Sequence, residues 1–93
     1  MSIEGMTPRL LALVARDFPT QFDEAVELLS FTESGNQNRE RVLAAVVLIA
    51  KGRLLSLRYA VQRSQRDWRD VLVESQLANV GWPQVLDDLL GKD

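Results

Sequence analysis

The sequence predicts an all-α protein: a single compact bundle of five to six short helices around a fully apolar central helix at about residues 37–51. Three observations predict it. The stretch "VLAAVVLIA", Val42 to Ala50, is nine apolar residues in a row, which covers the whole circumference of a helix and requires burial on every side. Helix caps and stops recur along the whole chain, from Thr7-Pro8 to Gly91. The run has the Val and Ile content of a buried strand, but no other segment reads as a strand to pair with it.

Taken in order, the first helix starts at Thr7-Pro8. The threonine is a cap, and proline suits the first helical position because its missing N–H serves no bond there. Leu10, Leu11, Val14 and Phe18 fall near one stripe, and Pro19 ends the element. The second helix is expected over about 20–33. It has Phe22, Ala25, Val26 and Leu29 inward and Asp23, Glu24 and Glu27 outward. Gly35 would close it in a left-handed conformation.

Asn36 or Asn38 can cap the third helix, which holds the apolar run and ends at Lys51-Gly52. The fourth helix spans about 54–66, with Leu54, Leu57, Ala60, Val61 and Ser64 inward. Asp67 caps a fifth, with Trp68, Val71, Leu72 and Ser75 inward and Trp68 as an anchor in its first turn. Pro83 opens a short last helix with Val85, Leu86 and Leu89 inward, and Gly91 stops it.

Ninety-three residues suffice for one domain, 1–93, with residues 1–6 expected to be flexible. The composition, 46% hydrophobic and 26% charged, is that of a soluble globular chain. No secretory segment is legible, and the apolar run is about half the roughly 20 residues that cross a bilayer. A cytoplasmic protein of bacterial type with no membrane contact is the expectation.

Cysteine and histidine are absent, which removes thiolate chemistry, the commonest general base and the commonest metal ligand. No nucleophile–base pair or metal-ligand cluster is visible either, so no enzymatic activity, cofactor or small-molecule substrate is expected. In "DWRDVLV", Asp67 and Asp70 read as helix caps and Trp68 as core, ahead of a ligand-stacking Trp68–Arg69 pair. Asp87 and Asp88 read as a solvated face.

Charge is divided along the chain. Residues 1–35 carry two basic and six acidic side chains, residues 36–69 eight and two, residues 70–93 one and five. Either the acidic ends neutralise the basic middle, or the middle offers a basic surface to a partner. The fourth helix focuses the choice. Leu55, Tyr59, Gln62 and Arg66 share its outer side, flanked by Arg58 and Arg63.

Aromatic and arginine side chains together are typical of interface hot spots. Leu55, Arg58, Tyr59, Arg63 and Arg66 are therefore the candidate partner-binding residues. The competing reading has Leu55 and Tyr59 packed on a neighbouring helix and the arginines paired with the acidic first and last helices. A protein partner, or a second copy in a homodimer, is the leading expectation. Nucleic-acid binding through residues 39–69 is the alternative; it ranks lower because the pI is about 5.1 and no helix-turn-helix pattern is present.

The strings "AAVVLIAKG", "RDWRDVLV" and "GWPQVLDDLLG" resemble a set of small bacterial helical proteins. In those, an apolar AAV-x-x-LA-x-G helix precedes a DWRDVLV segment and a C-terminal WP-x-x-L-x-x-x-LG. The likeness covers Val42 to Gly91. It implies a helical fold and carries no activity with it. In that set an aspartate follows the helix-closing glycine; here Arg53 stands there, which removes that cap from the fourth helix.

Overall fold

A computed structural model describes residues 5–91. The flexibility expected of residues 1–6 falls mostly outside that range. The described chain is all-helical: α1 (Pro8–Asp17), α2 (Phe22–Leu29), α3 (Arg39–Ala50), α4 (Leu54–Ser75) and α5 (Trp82–Leu90). The Cα radius of gyration is 11.7 Å, close to the roughly 12 Å of a compact chain of this length.

α3 is the hub. Asn38 caps it, its side chain accepting from the Arg41 N–H at 3.0 Å. Val42 to Val47 are fully buried and Ala50 nearly so. The expectation of burial all round fails for one turn: Leu48 and Ile49 are only half-buried. They line an open groove of about 620 Å³ with Val85 and Leu89 of α5 and the end of α4. The α5 stripe differs accordingly. Leu86 is buried and Leu90 partly so, while Leu89, expected inside, is exposed.

α1 presents Leu10, Leu13 and Val14 to the core, so Leu13 replaces the expected Leu11. α2 ends at Leu29, earlier than expected. The Arg39 guanidinium donates to the Thr32 carbonyl and lies 3.5 Å from that of Ser30, capturing oxygens a longer helix would use internally. Gly35 does adopt the left-handed region (φ +56°), but in the following loop. A Cβ there would lie 2.6 Å from Trp68 Nε1, so the loop folds directly against the indole.

α4 is two arms. Asp67 has extended backbone (φ −158°, ψ 99°), and its Oδ1 accepts from the Arg69 N–H at 3.0 Å. Asp67 thus caps the second arm, as its position after a helical stripe predicts, and the five- and six-helix descriptions are the same object. The break is sharp enough to bring Arg63 and Glu74, eleven residues apart, into a 2.9 Å ion pair. In a straight helix they would stand about 16 Å apart along the axis. Arg53 precedes the first arm and makes no side-chain cap. Trp68 is half-buried, less enclosed than an anchor.

Two polar clusters join the helices. Arg9 on α1 forks onto Glu40 of α3, with Nη2 to Oε1 at 2.6 Å and Nε to Oε2 at 2.9 Å. Its Nη1 donates to Asp87 of α5 at 2.6 Å and to the Gly91 carbonyl at 3.0 Å. The Thr7 hydroxyl also donates to Glu40. Asp87 is therefore a structural partner and not part of a solvated face; Asp88 remains exposed, accepting from Gln84. In the second cluster, buried Arg41 donates through Nε to the Leu77 carbonyl at 2.7 Å and through Nη1 to Gln37 at 2.9 Å. Its guanidinium lies over the Trp82 ring, 4.7 Å from the centroid.

The hydrogen bond from Arg9 holds the Glu40 carboxyl below its ordinary pKa of 4.5, against the opposing effect of burial. A carboxylate with a depressed folded pKa stabilises the fold above the unfolded pKa and loses that contribution as pH falls through the folded value. Stability should therefore drop as pH falls below about 4.5. Glu40→Gln should flatten that part of the profile in a series of urea unfolding curves. An unchanged slope in the variant would assign the acid sensitivity to other groups.

Candidate functional site

The first arm of α4 turns Leu57, Ala60, Val61 and Ser64 into the core. That leaves its opposite row, Leu55, Tyr59, Gln62 and Arg66, facing outward. Leu55 is 61% exposed and Tyr59 57% exposed, so neither packs on a neighbouring helix. This removes half of the competing reading. Arg58 and Arg66 are exposed and make no ion pair among the described residues. Arg63 is different: its bond to Glu74 makes it a brace between the two arms.

Hence four of the five candidate residues, Leu55, Arg58, Tyr59 and Arg66, share an open face, and Arg63 borders it while serving the fold. Part of the wider basic segment makes contacts within the molecule, while Lys51 and Arg53 are exposed. Arg39 caps α2, Arg41 holds the Leu77 carbonyl, and Arg69 lies over the Trp68 ring at 5.1 Å. The Trp68–Arg69 pair is thus stacked on itself.

Phe31 belongs beside this face and escaped the sequence reading. It is 60% exposed and lines a cleft of about 210 Å³ with Glu24, Glu27, Leu28, Leu54 and Arg58. α2 reaches α4 there through the Gln65 side-chain amide, which donates to the Phe31 carbonyl at 2.9 Å. The Glu33 N–H donates to Ser64 Oγ at 3.1 Å beside it. The one signal for Phe31 in the sequence is that it lies off the apolar stripe of Phe22, Ala25, Val26 and Leu29.

The face can make apolar and stacking contacts at its centre and charge-assisted hydrogen bonds at its edges. No group of three or more potential metal-ligating side chains occurs among the described residues. No described helix is long and apolar enough to cross a membrane. No protein-family model, curated protein or solved structure matches the chain.

Proposed function

We propose that the protein is a non-enzymatic protein–protein interaction module that acts through the outer face of α4. One observation carries the reading: Leu55 and Tyr59 stand exposed beside Arg58 and Arg66, which make no ion pair among the described residues, on a helix whose other side is buried. Exposed aromatic and aliphatic side chains bordered by arginine are the chemistry of a contact centre with a polar rim. Glu24 and Glu27, in the cleft beside Arg58, count against a phosphate backbone as the ligand, because carboxylates repel it. The setting in this reading is the bacterial cytoplasm, supported by the likeness of the DWRDVLV and WP…LG strings to small bacterial proteins.

A photo-crosslinking amino acid at position 59 tests this in cells that express the chain. A second variant carries it at the exposed Ala15 of α1. Discrete protein adducts at 59, absent at 15, are expected. Adducts removed by nuclease would favour the nucleic-acid reading. Equal labelling at both positions would show that the face has no partner.

A further inference from the structure

We propose that the pocket between the start of α3, the second arm of α4 and the loop before α5 binds a small organic carboxylate with a flat apolar body, held by Arg41 and Arg69. The pocket is open and measures about 260 Å³. It is separate from the outer face of the first arm and does not depend on a partner there.

Arg41 supplies the argument. It is 8% exposed, yet no carboxylate pairs with it among the described residues. Its Nε and Nη1 donate to neutral acceptors, the Leu77 carbonyl and the Gln37 side chain, and the Trp82 ring covers a face of the guanidinium. Its Nη2 donates to no described residue. Thr32 Oγ1 is the one sealed side-chain polar atom without a hydrogen bond among the described residues, so Nη2 reaches solvent. A buried charge is ordinarily paired, because taking it out of water is costly. Burial lowers the Arg41 pKa, and no neighbouring charge raises it again. The guanidinium thus keeps an unmatched charge and a free donor in the wall of a pocket.

Arg69 adds the second cation. It is exposed, makes no ion pair among the described residues and lines the same pocket. Its stack on Trp68 occupies a face of the guanidinium and leaves the N–H edges for an anion. No carboxylate lines the pocket. Asp67 accepts from the Arg69 N–H, Glu33 from the Gly35 N–H, and Glu74 is tied to Arg63. Asp70 stands about 100° round the helix from Arg69. The lining therefore has one sign.

The rest of the wall sets the ligand. Leu72, Val73 and the Trp68 ring offer apolar surface beside the two cations, which suits a flat hydrocarbon body. The volume is below the roughly 300–1,000 Å³ of sites for drug-sized molecules, so the ligand is small. Guanidinium groups match carboxylate and phosphate alike. A carboxylate carries a single charge, and bringing a dianionic phosphate against the enclosed Arg41 costs more desolvation.

The test is a titration of the nitrogen-labelled full chain with benzoate, followed by nuclear magnetic resonance. The Trp68 indole N–H, the Arg41 Nε–H and the amides of Arg69, Leu72 and Val73 should shift together and saturate. Benzamide, which has the same shape without the charge, should bind at least tenfold more weakly. Arg69→Gln should weaken benzoate about tenfold, the loss of one charge-assisted hydrogen bond. Position 69 is exposed, so this variant should keep its helix by circular dichroism. Arg58→Gln removes the same charge on the outer face of the first arm and should leave the affinity unchanged.

The inference is overturned if benzoate gives no saturable shift at tens of millimolar, or if benzamide binds equally well. An Arg69→Gln variant that binds like the wild type, or one no weaker than Arg58→Gln, would do the same. Phenyl phosphate binding more tightly than benzoate would overturn the carboxylate assignment.

Discussion

Val46→Asp is expected to leave the chain unfolded. Val46 is fully buried at the centre of α3, with apolar neighbours on either side in sequence. An ionised carboxylate there has no partner, and burying it costs several kcal/mol even after relaxation. A domain of this size has only about 5–10 kcal/mol in total. Circular dichroism should show loss of helix, and the amide spectrum should collapse. The same change at Leu48 should be milder, since Leu48 lines the open groove and a carboxylate there can reach water. Val46→Asp with a near-native melting curve would show that α3 is peripheral.

Arg41→Met is expected to destabilise the fold by about 2–4 kcal/mol, more than the 0.5 kcal/mol typical of surface changes. The loss centres on Leu77. Its carbonyl accepts the buried Arg41 Nε–H, and methionine leaves that oxygen without a donor. The contact over Trp82 is lost as well. Burial pushes the Arg41 pKa down from the usual arginine value. Desolvation therefore offsets part of what the hydrogen bonds contribute, and the upper end of the range is a ceiling. Arg41→Lys should recover only part of the loss, because an ammonium cannot serve two acceptors and lie flat on the indole. Urea unfolding should show a lower midpoint with an unchanged slope. A loss under about 0.5 kcal/mol would mean that water replaces the guanidinium at Leu77.

Much of the fold is legible in the sequence because it is locally encoded. A nine-residue apolar run has to be surrounded, whatever surrounds it. Asn38 and Asp67 each bond an N–H two or three residues away, so their roles can be read from spacing alone. What the spacing hides is long-range. Arg9 finds Glu40 and Asp87 across 31 and 78 positions, and nothing near Asp87 in the chain marks it as a partner of α1. Arg39 shortens α2 from a position in the next helix.

The groove at Leu48 and Ile49 has the same origin. Composition says that α3 must be covered, but the number of available stripes depends on how α5 packs. The outer row of α4 was legible because its stripe and its surface are both set by a 100° turn per residue. The tie from Arg63 to Glu74 is hidden in the sequence because that partner lies beyond the break at Asp67, and only the bent geometry brings Glu74 to it.

The molecule has one basic division: α3 inside, and the outer row of α4 left to solvent or to a partner. Native-state amide hydrogen exchange at high dilution measures that division directly. The amides of Val42 to Val47 should exchange only through global unfolding, with an opening free energy equal to the stability from urea curves. Those of Leu55 and Tyr59 should open locally at a clearly lower free energy. Exchange of Val42 to Val47 as fast as that of Leu55 and Tyr59 would contradict the account, because the hub would then be no more enclosed than the face.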